Sequence, residues 1–149
     1  MYKILQKTQF SENVFKFRIE AAEIAKHAHA GQFLMVRANE LSERVPFTFA
    51  DWDVKAGWVE FIFMVIGKTT RMLATYQEGD FLQDVTGPLG MPTQLKEGRW
   101  AVIGGGVGVQ TRVMAVQMLG FELTNGNERL IAHDVRLFGD ACNALEGIE

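Results

Sequence analysis

Two short stretches of this sequence combine residue types that can hold a flat, charged ligand. Arg44-Val45-Pro46-Phe47-Thr48 places in a row a permanent cation, a φ-fixing proline, a ring and a hydroxyl. On a strand edge, that set presents backbone and side chains to a flat polar molecule. Gly67-Lys68-Thr69-Thr70 follows the apolar run 59–65 and precedes Arg71-Met72-Leu73-Ala74-Thr75-Tyr76, where Met72, Leu73 and Tyr76 have helical spacing. The threonines therefore fall at a helix N-terminus. Free backbone N–H groups and the positive end of the helix dipole make that corner suitable for a phosphate or pyrophosphate, with Arg44 and Lys68 as further charge. The residue five before Gly67 is Ile62, so the upstream glycine of the P-loop pattern is missing and an ATPase reading fails. An ordinary strand, turn and capped helix with a surface lysine carries the same short signature, so these four residues alone identify no ligand.

A third stretch lies further on. Arg99-Trp100-Ala101-Val102-Ile103 reads as a short apolar strand, Gly104-Gly105-Gly106-Val107-Gly108 as a glycine turn, and residues 109–119 as a helix with Val113, Val116, Met118 and Leu119 among its apolar positions. Strand, glycine turn, helix is how a doubly wound nucleotide-binding domain begins. The glycines allow tight turning and close approach of a phosphate to the backbone, although glycines can also serve helix–strand packing alone. No acidic residue follows at the expected distance after a clear second strand. Residues 129–132 can form such a strand, but a parallel sheet needs more strands than the 149 residues leave room for.

The elements that must position these groups come earlier. Residues 2–10 read as a strand of mixed pattern, with turn chemistry at Ser11-Glu12-Asn13. Phe15, Phe17 and Ile19 then alternate with Lys16, Arg18 and Glu20, as in an antiparallel strand with one wet face. Residues 21–28 are alanine-rich and predict a short helix anchored by Ile24. His27 and His29, near its end, have no acidic or cysteine companion and read as solvated loop residues rather than ligands. Residues 30–36 predict a glycine-started central strand, and a strand from 44 to about 52 turns at 53–57. In the next strand Val59, Phe61, Phe63 and Val65 form one face and Ile62, Met64 and Ile66 the other, so it is expected to be buried on both sides except at Glu60. Gly79 is a candidate helix C-cap, residues 81–85 are the last strand, and Gly87-Pro88-Leu89-Gly90 is expected to break it. About six short strands and one inserted helix by residue 86 predict a small closed antiparallel barrel.

Composition bounds the function. With 48% hydrophobic and 22% charged residues the chain can bury a real core. Residues 1–75 hold ten Lys and Arg against eight Asp and Glu, and residues 76–149 five against ten, with no basic tract, which disfavours nucleic-acid binding. The single cysteine, Cys142, cannot form an intramolecular disulfide or a cysteine-ligated metal site. A reducing compartment, the cytoplasm, is expected. No run approaches the ~20 apolar residues of a membrane span, and the N-terminus has no long apolar core for a signal peptide.

Taken in order, five motifs resemble the ferredoxin–NADP reductase superfamily. They are similar above all to those of the electron-transfer subunits of dihydroorotate dehydrogenase and of the small subunit of NADH-dependent ferredoxin:NADP oxidoreductase, also called sulfide dehydrogenase. Gly31-Gln32-Phe33 resembles the family's strand start, Arg44-Val45-Pro46-Phe47-Thr48 its flavin motif, Gly67-Lys68-Thr69-Thr70 its pyrophosphate turn, Gly87-Pro88-Leu89-Gly90 its interdomain loop, and Gly104-Gly105-Gly106-Val107-Gly108 the opening of its nicotinamide domain. The match covers residues 1 to about 120. It implies a six-stranded antiparallel Greek-key barrel that binds FAD, residues 1–97, followed by a partial α/β, Rossmann-like NAD(P) segment, residues 98–149. Val45, Pro46, Phe47 and Thr48 would lie along the isoalloxazine and ribityl chain, with Thr48 at a ring nitrogen and Phe47 against the flavin plane. Phe63, Met64 and Val65 would lie beside the adenylate half, and Gly67, Thr69 and Thr70 at the pyrophosphate, with Gly105, Gly106 and Gly108 serving NAD(P)H. The flavin carries the redox chemistry, so no general base or nucleophile is expected, and Cys142 reads as a buried structural thiol.

The sequence also departs from the family. The second domain is short, Gln110-Thr111 stands where alanine and proline are usual, residues 121–149 match nothing in the family, and the cysteine cluster for a 2Fe–2S centre is missing. The expectation is therefore an electron-transfer component truncated in its NAD(P) domain and without its own iron–sulfur cluster. Such a chain would pair in a hetero-oligomer with a larger redox subunit bearing iron–sulfur or flavin centres, because an incomplete second domain exposes apolar surface. The alternative is a non-catalytic module that retains the barrel.

Overall fold

Alternation in the sequence becomes an inside and an outside in the structure. The computed structural model describes residues 1–93. Seven strands run β1 (Tyr2–Ser11), β2 (Val14–Glu20), β3 (Phe33–Arg37), β4 (Arg44–Asp53), β5 (Trp58–Met64), β6 (Phe81–Leu82) and β7 (Asp84–Leu89), with helices α1 (Ala22–His27) and α2 (Lys68–Thr75) between them. The order across the sheet is β6-β1-β2-β5-β4-β3-β7, with antiparallel pairing throughout. β2 lies beside β5 after the crossover through α1, while β3, β4 and β5 pair in succession, which is the Greek key expected. The two ends of the order, β6 and β7, are separated only by Gln83, so the sheet curls back on itself into a nearly closed barrel.

The expected mainly β class is found, with one strand more than expected. The run 81–85 is two strands: Tyr2 and Lys3 of β1 take Leu82 and Phe81, and after Gln83 the chain switches to β3. Gly87-Pro88-Leu89 does not end the last strand. β7 runs through to Leu89 because it is the terminal strand of the order and Pro88 sits where the β3–β7 register shifts, a place where a missing N–H disrupts no ladder.

The core is aromatic. Phe15 and Phe17 of β2 lie directly opposite Phe63 and Phe61 of β5. Phe47 of β4 stacks on Phe61 with centroids 5.0 Å apart, and Phe17 meets Phe63 edge-on at 5.1 Å. Each such side chain taken from water stabilises the fold by roughly 1.5–3 kcal/mol. Leu73 of α2 and Leu34 and Val36 of β3 complete the interior.

Four further expectations are corrected. Glu60 is buried rather than wet, because its cross-strand neighbours on the same face are cations: Lys16 Nζ lies 3.1 Å from Oε2 and Arg18 Nη2 2.8 Å from Oε1. Ile66 is 73% exposed, because β5 ends at Met64 and Ile66 belongs to the turn into α2; Ile62 and Met64 are only half-buried. Gly79 is not the helix C-cap: α2 ends at Thr75 with an extended Tyr76, and Gly79 takes φ +93° in the following turn. The strand from residue 30 starts later, at Phe33. The sequence features beyond residue 93, namely the strand at 99–103, the glycine turn, the helix at 109–119 and Cys142, lie outside the described residues.

Candidate cofactor seam

Where β4 and β5 run side by side, they pair only over half their length. Their ladder runs from Asp53↔Trp58 to Phe49↔Phe61, with an irregularity at Ala50, and stops there. Beyond that point β4 remains paired to β3 through Phe33↔Thr48 and Arg37↔Arg44, and β5 remains paired to β2 through Val14↔Met64. Residues 44–48 and 62–64 are thus two strand edges that face the same opening without pairing to one another. Pro46, which has no N–H, sits in this stretch, consistent with a strand side that makes no ladder.

Strand parity decides which side chains can serve the opening. Phe47 and Phe63 are buried in the core, so the ring expected against the flavin plane packs instead on Phe61. Arg44, Pro46 and Thr48 alternate with Phe47 and lie on the outer face, as do Ile62 and Met64 of β5. Thr48 is half-buried, and its hydroxyl makes no hydrogen bond among the described residues. Arg44 is half-exposed; its Nη1 donates to the Asp84 carboxylate of β7 and lies 3.4 Å from Thr86 Oγ1. An exposed pair of this kind is worth roughly 0–1 kcal/mol, so it can be exchanged for a ligand anion at little cost.

The corner at the end of β5 is built by α2. Gly67 is extended (φ −117°, ψ −173°), a conformation open to any residue, yet a Cβ built on it would meet nothing within 4 Å. The empty space in front of the helix is therefore not forced by backbone strain. Arg71 N–H makes the first helical bond, to the Gly67 carbonyl at 3.0 Å, and the amides of Lys68, Thr69 and Thr70 find no acceptor among the described residues. The threonines differ. Thr70 Oγ1 accepts from the amides of Ile66 (2.9 Å) and Gly67 (3.0 Å) and donates to the Gly67 carbonyl, so its side chain is committed to capping. Thr69 is buried at the same turn. Lys68 is exposed and makes no ion pair among the described residues.

The structure thus brings Arg44, Pro46, Thr48, Met64, Gly67, Lys68, Thr69 and Thr70 around one seam and its adjoining helix end, whereas Phe47 and Phe63 are buried in the core and Val45 and Val65 pack partly buried against it. Ile62 on the open edge of β5 and Ile66 in the turn into α2 are also incompletely buried here, and neither was among the expected site residues. Their parity with Met64 was the available signal, but it was read as burial. Gly105, Gly106 and Gly108 lie outside the described residues. An amide-lined corner beside a half-buried hydroxyl and apolar edges suits a ligand with an anionic middle and a flat heteroaromatic end.

No family model matches the chain. It is 40% identical over 110 residues to a Thermotoga maritima protein named dihydroorotate dehydrogenase B (NAD(+)), electron transfer subunit homolog, with 73% of this chain and 39% of that protein covered. A Desulforamulus reducens electron transfer subunit of dihydroorotate dehydrogenase B is 31% identical over 122 residues, covering 78% and 46%. Among solved structures, that of an NADH-dependent reduced ferredoxin–NADP oxidoreductase, described for flavin-based electron bifurcation, superposes with TM-score 0.77 at 36% identity over 80% of this chain and 44% of that one. Phthalate dioxygenase reductase shares the fold alone, with TM-score 0.64 at 16% identity over 80% and 40%. The chain therefore spans about two-fifths of the length of the first of these relatives.

Proposed function

We propose that this chain, which belongs to the ferredoxin–NADP reductase superfamily, binds FAD in the seam between β4 and β5 and serves as the electron-transfer component of an oxidoreductase. The observation that carries the reading is the opened ladder between residues 44–48 and 62–64, ending at a helix N-terminus with three amides that have no acceptor among the described residues and with free space in front of Gly67. The amides of Lys68, Thr69 and Thr70 would hold the pyrophosphate, with Lys68 and an Arg44 released from Asp84 adding charge. Thr48 would hydrogen-bond the flavin ring system from the outer face, with Pro46 and the Val45 backbone beside it, and Met64, the Val65 backbone and the exposed Ile66 would border the adenylate half. Bound FAD supplies hydride and single-electron chemistry; the protein positions it and excludes water around it.

Residues 98–149, with Gly105, Gly106 and Gly108, are proposed as the NAD(P)H-side segment. The partner class proposed is a larger redox subunit carrying iron–sulfur or flavin centres, in the cytoplasm, and it is supported by the named relatives being electron-transfer subunits. Among the described residues no helix is long and apolar enough to cross a membrane. The test is a visible spectrum of the purified chain before and after incubation with FAD, followed by anaerobic NADH or NADPH. The reading expects oxidised-flavin bands that bleach with one of the two nucleotides. Flavin bands that never bleach would remove the nicotinamide role, and a folded chain that takes up no flavin would leave only a structural module.

A further inference from the structure

Gln32 is buried, and both ends of its amide are occupied. Its Oε1 accepts from the His29 amide at 2.9 Å, and its Nε2 donates to the carbonyl of Gly90, just past β7, at 2.9 Å. Three residues further on, the Thr93 amide donates to the Ala30 carbonyl at 2.9 Å. Two glycines make this crossing possible. Gly31 has φ +83°, and a Cβ there would lie 2.0 Å from Thr93 Oγ1; Gly90 has φ +82°, and a Cβ there would come 3.0 Å from the Phe33 ring. The chain leaving β7 therefore passes directly over the loop that leads into β3 and is pinned to it at Gly90 and at Thr93.

This crossing lies next to Thr48, since Phe33 pairs with Thr48 and the Phe49 amide donates to the Gln32 carbonyl, but the Gln32 side chain and Gly31 bond or abut only His29, Gly90 and Thr93, and the β3–β7 ladder does not require the crossing. That ladder ends at Phe33↔Leu89, so nothing in the sheet dictates where the chain goes next. A buried side-chain amide that bridges two backbone segments, backed by a left-handed glycine that leaves no room for a methyl, fixes one direction. We infer that Gln32 and Gly31 are positioning residues: they set the direction in which the chain leaves the barrel at Thr93, and so set how residues 98–149 address a flavin in the seam. The second half rests on the proposed function. Hydride transfer needs its two atoms within about 3–3.5 Å, and a misplacement of about 1 Å costs on the order of 100-fold in rate.

The test uses the full chain and Gln32→Glu, which keeps an acceptor for the His29 amide but sets a carboxylate oxygen against the Gly90 carbonyl. Amide hydrogen exchange is read first: protection at Thr93 is expected to fall by about 10-fold or more while the amides of β2 and β5 keep theirs. FAD affinity is expected to stay unchanged, and the anaerobic rate of flavin reduction at saturating NADH or NADPH to drop by about 10-fold or more. Gly31→Ala should behave likewise, and adding Thr93→Gly to it should recover part of the loss, because the severe contact is with the Thr93 side chain. That pair decides the question if Gln32→Glu loses protection throughout the barrel. Unchanged Thr93 protection would overturn the clamp, and a loosened Thr93 with an unchanged reduction rate would overturn the positioning role. If the parent chain's flavin is reduced by neither nucleotide, the proposed function and the positioning role both fall, while exchange at Thr93 still decides the clamp.

Discussion

β4 and β5 are one pair of strands with two unlike ends. From Phe49↔Phe61 to Asp53↔Trp58 they are laddered together, and the polar groups there are met by protein. Glu60 takes Lys16 and Arg18, Arg18 lies over the Trp58 ring at 4.0 Å, and Asp53 Oδ1 accepts the amides of Lys55 and Ala56 at 2.7 and 2.9 Å. At the other end the ladder is open, and the Thr48 hydroxyl, the Lys68 ammonium and three helix amides have no partner among the described residues. A barrel whose polar groups are met by protein at one end and left without protein partners at the other supports the proposal that the open end is the one that takes a ligand.

The two ends of the strand pair meet at Phe61. Phe61 is fully buried between Phe17, Phe47 and Phe63, and it is the last β5 residue paired to β4. Phe61→Ala should cost about 3–5 kcal/mol in chemical denaturation and weaken both ends together. A loss under about 1 kcal/mol would mean that the aromatic cluster does not hold the strands. Gly67→Asp separates the ends instead. Aspartate is a favoured N-cap, so the denaturation midpoint should hold or rise, while a carboxylate in the pyrophosphate space should weaken FAD binding by about 10-fold or more, or 1.4 kcal/mol and upward. An affinity equal to that of the parent chain would place the phosphates elsewhere. Thr48→Val keeps the shape and removes the hydroxyl; a single lost hydrogen bond of about 0.5–1.5 kcal/mol predicts a 2- to 10-fold rise in the FAD Kd, measured by fluorescence titration, with stability unchanged.

The smallest effect lies at the laddered end. Burial holds the Asp51 carboxyl above the usual carboxylate range; the Trp52 amide opposes this, and the Glu60 carboxylate opposite adds to it. A carboxyl whose folded pKa is raised binds its proton more tightly in the folded state, so it weakens the fold as pH rises through that value. Asp51→Asn should therefore raise the thermal midpoint slightly at pH 7, with the gain vanishing at acid pH where Asp51 is protonated folded and unfolded. A gain of equal size at both pH values would show that charge is not its cause.

Much of this was legible in the sequence. The alternation of Phe15, Phe17 and Ile19 located β2 and its buried face, and helical spacing after Gly67 located α2 to within a few residues. What the sequence concealed depended on neighbours that are distant in the chain. Glu60 is buried only because β5 sets it opposite Arg18, with Lys16 next on the same face. The strand 81–85 divides because β1 claims its first residues and β3 the rest. Phe47 and Thr48 are both site candidates by residue type, but which of them is buried and which lies on the outer face depends on the strand parity set by the β3–β4 register. Thr70 looked like a phosphate ligand, yet its hydroxyl is committed to capping, a local competition that residue type alone does not reveal.

The most direct test of the central claim is an equilibrium titration of the chain with FAD, followed by flavin fluorescence and visible absorption. Saturable binding of one FAD per chain is expected, with a flavin spectrum distinct from that of free FAD. A chain shown to be folded by its denaturation profile that binds no FAD after reconstitution would contradict it, and would leave the open seam without a ligand.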